Sequence, residues 1–393
     1  MGIPSEINHR SKRHMVPALI SGGLALFIGM GIARFAFTPI LPLMQSDFGL
    51  SDTVSGILAS ANYLGYLLGA IYVKKLSVRQ NAYQWFTLSV AASIVFIWLM
   101  GFECLYLWYV SRFLSGFFGG LLFVFSAEFI LAYLTQTEKP QYFGLIYSGI
   151  GMGMVVSGLM VPLLSSHFSS PQIWVWLAGL CLLPGVFVIR CMPGPDPPSQ
   201  PYLTGQAAAS GSSLRFLYVA YFLEGFGYII TGTFISVIVL RGTGSVLLSG
   251  YVWVVAGLAA VFITPVWSML SKRYGISGIL MLAYFIQSAA IAMPILFPHT
   301  VITLVGAVGY GGTFLGIVSL VMAYGKELNP SGSTTTAVLT IYFSLGQAAG
   351  PLAAGWLSDI SGGFDLPVLS AAAMIFLGGL IIRLNKGGTD ADH

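Results

Sequence analysis

The chain has 393 residues; 56% are hydrophobic and 8% charged, and 17 basic against 13 acidic side chains give a formal net charge of +4. A mean hydropathy of +0.85 excludes an ordinary soluble globular domain. Three cysteines (Cys104, Cys181, Cys191) and five histidines are scattered without disulfide or metal-ligand spacing. No metal and no other cofactor is expected, and the cysteines read as small packing residues.

The basic N-terminus (His9, Arg10, Lys12, Arg13, His14) leads into an apolar run from Met15 to Met44. That run is too long for a signal-peptide core and ends in no small-residue cleavage site, so it reads as an uncleaved first helix with a cytoplasmic N-terminus. Spanning helices are predicted over 16–44, 53–73, 82–102, 105–134, 141–165 and 171–191. After a Pro/Ser/Gly-rich stretch, six more follow over 214–240, 246–270, 276–297, 299–324, 335–359 and 366–384. Each has about the 20 residues that cross a ~30 Å hydrocarbon core. The fold class expected is an all-α integral membrane protein.

With the N-terminus inside, every basic residue faces the cytoplasm except Arg241, which faces out, and Arg34 and Arg112, which lie within helices. The outer turns carry Asp47, Asp52, Glu103, Asp359 and Asp365. This is the positive-inside pattern. The positive charge therefore reports orientation, and no nucleic-acid partner is expected. The predicted setting is the inner (cytoplasmic) membrane, as a multi-pass protein with both termini cytoplasmic, working as a monomer in the lipid bilayer.

The polar stretch 192–213 divides the chain into bundles 1–191 and 214–393, joined by a cytoplasmic linker. An internal repeat supports the cut. Gly149, Gly153 and Gly158 match Gly346, Gly350 and Gly355 at an offset of 197 residues, and Lys75 matches Lys272 at the same offset. Parallel repeats of this kind enclose a substrate site near the midplane in one class of transporters.

Twelve helices, a central linker and these glycine patterns resemble the major facilitator superfamily over essentially the whole chain. Arg112-Phe-Leu-Ser-Gly116 resembles its helix-4 arginine motif, and Gly346-Gln-Ala-Ala-Gly-Pro351 resembles the helix-5 pattern of antiporters, here in helix 11. The segment from Gly29 to Met44, with Glu224-Gly-Phe-Gly-Tyr228 and Trp253 to Gly257, resembles the YbfB/YjiJ-like branch. The resemblance implies two pseudo-symmetric six-helix bundles, and for Arg112 a part in a proton relay or in substrate binding. The loop after helix 2 departs from the superfamily: Gly69 to Lys75 contains no aspartate.

Charges inside a membrane cost at least ~2.5–3.5 kcal/mol each at a helix centre and mark functional suspects. Arg34, Arg112, Glu128 and Glu224 qualify. Their repeat counterparts (Thr231, Gly309, Gly325 and Phe27 or Ile28) are uncharged, so the scaffold is duplicated and the charge is not. Glu224 lies ~15 Å into the seventh helix by helical rise, with Tyr228 and Thr231 on its face. It reads as a proton carrier, or as a protonated acid locked between helices. Arg34 cannot shed its charge; it reads as the anchor of a substrate carboxylate or phosphate, a partner for Glu224, or a structural cation. Glu128, near the inner end of helix 4, suits gating or structure with Lys74 or Lys75. Asn62, Trp253 and Gln347 join Tyr228 and Thr231 as candidate cavity lining.

With no nucleotide-binding or catalytic motif, the function expected is secondary active transport of a small solute, not catalysis. Alternating access, coupling to protons, efflux and an anionic or zwitterionic substrate are the finer expectations. A lipid or amphiphile transporter, or a receptor derived from a transporter, are the alternatives.

Overall fold

The computed structural model describes residues 5–77, 81–194, 212–329 and 335–389, with the side chains of 5–14, 74, 75, 77, 212 and 384–389 outside that description. Lys74 and Lys75, and most of the 192–213 linker, therefore fall outside what the structure tests. Twelve helices are long and apolar enough to span a membrane. In chain order they are α1 (Met15–Phe48), α2 (Asp52–Val73), α3 (Ala82–Leu99), α4 (Leu105–Gln136), α5 (Pro140–Leu164) and α6 (Ser170–Cys191). The second set is α7 (Ser213–Thr243), α8 (Val246–Tyr274), α9 (Ile276–Leu296), α10 (Thr300–Leu328), α11 (Thr335–Ser361) and α12 (Asp365–Arg383). The first six pack among themselves, as do the last six. The two bundles meet through α2 on α11, α5 on α8, and α1 on α7 and α8.

Small residues set these crossings, because apolar side chains gain little from leaving lipid and helices must instead approach closely. At Gly31 of α1 a Cβ would come within 2.8 Å of Gly153 Cα on α5. The bundles join in the same way: Gly158 faces Gly250, and Gly56 lies against the Pro351 carbonyl. Some of these joining contacts lie at the end that carries the acidic turns, with Gly56 against Pro351 and Gly355 against the Asp52 carbonyl.

The first helix differs from the uninterrupted run the sequence predicts. It is α-helical to Leu26, turns π-helical over Phe27–Ile32, and resumes as α-helix at Phe37. Two amides reach back five residues rather than four, Ala33 to Ile28 O at 2.9 Å and Phe35 to Met30 O at 3.1 Å. Pro39 has no N–H to give the Phe35 carbonyl, which accepts from Thr38 instead at 3.3 Å. Such a wide turn re-aims side chains, and π-bulges recur at functional sites. The residue it re-aims is Arg34. Among the cysteines, Cys181 is buried, Cys191 half-buried and Cys104 exposed, so the packing role expected of all three fits Cys181 best and Cys104 not at all.

Candidate substrate and coupling site

Arg34 is 3% exposed and lies where the bundles meet. Its guanidinium carbon stands 4.4 Å from the Tyr63 ring centroid, 4.8 Å from that of Tyr66 and 5.3 Å from that of Phe35. Aromatic faces attract a cation when both are desolvated. Nε and Nη2 nevertheless have no hydrogen-bond acceptor. Arg34 does not pair with Glu224 either: the one ion pair among the described residues joins Arg241 and Asp52.

The second bundle presents rings and amides to this point. Phe35 meets Trp253 edge-on at 5.9 Å and Phe314 at 6.4 Å. Behind Phe314 runs a column of near-parallel rings, Phe343, Tyr228, Phe314 and Tyr310, with centroid spacings of 5.4, 5.8 and 5.8 Å. Gln347 Nε2 donates to the Tyr228 hydroxyl, while Gln347 Oε1 and Trp253 Nε1 are buried without partners. Two polar contacts cross the interface at this level, Thr38 Oγ1 donating to the Gly232 carbonyl and Tyr63 OH meeting Thr233 Oγ1 at 3.4 Å. Arg34, Tyr228, Trp253 and Gln347 thus lie close to one another.

Glu224 is fully buried inside the second bundle. The groups that couple to it are Gln287 and Tyr284 of α9, Tyr310 of α10, and Tyr221 and Tyr228 of its own helix. Both its oxygens lack a hydrogen-bond partner of good geometry, as do both polar atoms of Gln287 and the Tyr221 hydroxyl. Tyr228 and Tyr310 both lie within electrostatic reach of Arg34 and of Glu224. Thr231 lines a small apolar cavity with Ile235, Ala290, Pro294 and Tyr310 rather than the meeting point of the bundles.

Arg112 and Asn62 occupy a seam within the first bundle. Arg112 donates from Nη1 to the Ala33 carbonyl at 2.9 Å and from Nε to that of Leu58 at 3.3 Å, under the Phe37 ring. Asn62 Nδ2 donates to the Arg112 carbonyl and to Ser115 Oγ, both at 2.9 Å. These bonds lock α4 to α1 and α2. Glu128 is half-buried and in no ion pair among the described residues.

One cluster lies outside the residues singled out from sequence. At the acidic end Asp52 accepts from Arg241, from Gln45 Nε2 at 2.7 Å and from Ser358 Oγ at 2.7 Å. Asp359 of α11 accepts the backbone N–H groups of Asp52 and Thr53. The signal for it was in the charge pattern: Arg241 is the single basic residue on the wrong side.

Residues 26–383 match the family described as "Uncharacterised MFS-type transporter YbfB". The chain belongs to that family. It is 22% identical over 346 residues to the uncharacterized MFS-type transporter YfkF of Bacillus subtilis (strain 168), covering 83% of this chain and 85% of that one. Its fold is similar to that of the nucleoside transporter NupG, solved as a mutant: TM-score 0.76, 12% identity, 94% of this chain and 99% of that one. It is also similar to that of a bacterial homologue of the human lysosomal transporter Spinster, solved inward-facing and unoccupied: TM-score 0.72, 15% identity, 95% and 97% coverage. The protein is an MFS-type transporter of twelve membrane helices in two six-helix bundles. Its family and fold are those of transporters, not enzymes, and imply a small-molecule substrate.

Proposed function

We propose that this transporter moves a small organic anion by alternating access, driven by protons that Glu224 carries, with a lean toward efflux. The observation that carries this reading is a pair of buried ionisable side chains, Arg34 and Glu224, that share Tyr228 as an electrostatic neighbour and join no ion pair among the described residues. An arginine that cannot deprotonate needs an anion, and the substrate is the anion that can come and go. A carboxyl group out of water is most stable when protonated, so Glu224 holds a proton while buried and yields it when water reaches it. Tyr228 and Gln347 join the two events. The efflux lean rests on the glycine pattern of α11.

In this reading residues 1–191 and 214–393 are the rocking lobes and 192–213 their cytoplasmic tether. Both termini lie in the cytoplasm, the acidic turns face outward across the inner membrane, and a monomer is the working unit. The lobes' joining contacts near the acidic turns support a state closed to the outside. Arg112, through its bonds to α1 and α2, holds Arg34's helix in place, and Glu128 with Lys74 and Lys75 serves the inner gate.

The test is flux in proteoliposomes, using a ligand found by thermal-stabilisation screening. Glu224→Gln should abolish flux driven by a pH gradient and leave solute exchange intact. Gradient-driven flux at the wild-type rate would overturn the coupling assignment.

A further inference from the structure

We infer that the transported anion is a monocarboxylate with a flat, apolar or aromatic body, held side-on by Arg34. This deepens the reading above and rests on its placing of the substrate at Arg34.

The two unpartnered nitrogens of Arg34 are Nε and Nη2. In a guanidinium these are the pair whose N–H bonds run parallel on one edge, and that fork matches the two oxygens of a carboxylate. The guanidinium carbon lies over the rings of Tyr63 and Tyr66, which offer it no acceptor, so the unpartnered fork is the edge left for an anion. Arg112 lies near enough to couple to Arg34 and adds positive potential. Its Nε and Nη1 already serve the Leu58 and Ala33 carbonyls, so it lacks the free side-on edge that Arg34 has and leaves only Nη2 without a partner.

The walls decide the rest of the ligand. Around the fork stand Phe35, Tyr63 and Tyr66, with Trp253 and Phe314 of the ring column against Phe35. Ring faces are electron-rich and disfavour the second charge of a phosphate monoester. No carboxylate of the protein stands at this point to hold an ammonium, since Glu224 turns to α9, so an α-amino acid leaves its cation unpaired. Phe35 meets Trp253 and Phe314 edge-to-face, the arrangement aromatic rings favour, so the walls suit a flat aromatic body.

The experiment uses the purified full-length chain in detergent without any gradient, so it is independent of Glu224 coupling. Benzoate and phenylacetate are compared with phenyl phosphate, phenylalanine and benzyl alcohol, by tryptophan fluorescence quenching and by melting-temperature shift. The carboxylates should bind saturably and at least tenfold tighter than the other three. Arg34→Ala should weaken them at least tenfold. Arg34→Lys, which keeps the charge and loses the fork, should fall between and stands in if the alanine variant does not fold. Three results overturn the inference: phenyl phosphate or phenylalanine binding as tightly as the carboxylates, Arg34→Lys binding like wild type, or no carboxylate binding to folded wild-type protein. Binding of other anions would then leave the anion reading standing, while failure of the Glu224 flux test would leave the carboxylate result untouched.

Discussion

Arg241 of α7 closes on Asp52 of α2 through two parallel bonds, Nη1 to Oδ2 at 2.8 Å and Nη2 to Oδ1 at 2.7 Å, and so ties one bundle to the other. The pair is asymmetric in exposure: the arginine side chain is 48% exposed and the aspartate 6%. An exposed pair alone is worth at most about 1 kcal/mol. Here the aspartate also accepts from Gln45 and Ser358, which raises what its removal costs.

Asp52→Asn should therefore release the acidic end by roughly 1–2 kcal/mol, a factor of about 5–30 in the ratio of closed to open states. A cysteine placed at Thr233, fully buried at the interface, reports it in a background without native cysteines. Labelling by a membrane-impermeant thiol reagent should rise several-fold in Asp52→Asn. Arg241→Gln should do the same, less strongly, because its head is already half in water.

Tyr228→Phe should separate binding from coupling. The hydroxyl accepts from Gln347 and lies within electrostatic reach of both Arg34 and Glu224, whereas the ring supplies the stacking. Loss of a buried hydrogen bond of about 1 kcal/mol should slow gradient-driven flux about fivefold to tenfold and change the Kd of the transported ligand less than about threefold. Equal loss of both would place the hydroxyl on the substrate instead.

Arg112→Ala should act on stability. It leaves the Ala33 and Leu58 carbonyls short of a donor, at about 1–3 kcal/mol for each buried group left unsatisfied. A lower melting temperature in detergent is expected, with Arg112→Lys recovering only part because one ammonium cannot reproduce the guanidinium fork. A variant that melts like wild type and loses binding would move Arg112 into the substrate site.

Gly153→Leu should prevent proper packing of α5 on α1, where Gly31 Cα leaves no room for a side chain. Overpacking costs about 1–3 kcal/mol even where neighbours can shift, and two backbones in contact cannot. Gly179→Leu, on α6 with nothing within 4 Å of the added Cβ, is the control. Folded yield by size-exclusion chromatography should fall for the first and hold for the second.

The spans were readable because hydrocarbon thickness imposes one length on all of them, and the two bundles because the glycines that set the crossings repeat with them. The site was legible in part. Arg34 and Glu224 stood out as charges in apolar runs, and the structure keeps both buried. What sequence could not show is direction. A helical position does not tell which neighbour it faces, so Glu224, Tyr228 and Thr231 looked like one group although they face α9, the bundle interface and an apolar cavity. The π turn that aims Arg34 was hidden for a related reason: Gly29, Gly31 and Pro39 permit several backbone paths, and packing against Gly153 and Leu122 selects among them. Gln287, Tyr221 and Tyr284 were invisible as partners of Glu224 because they come from ordinary-looking helix positions.

Asp359 gives α2 something a helix normally obtains from its own chain. Its carboxylate takes the first two amides of α2, Asp52 N at 3.1 Å and Thr53 N at 2.9 Å, and so caps a helix that belongs to the opposite lobe. A cap of this kind is worth about 1 kcal/mol, and it vanishes at the same moment as the arginine fork beside it. Separation at this end must then undo charge, amide and hydroxyl bonds in one event, with no half-broken intermediate to rest in. The molecule should wait long with this end sealed and leave that form abruptly, so that a single rate, set at the first turn of α2, times each opening of this end.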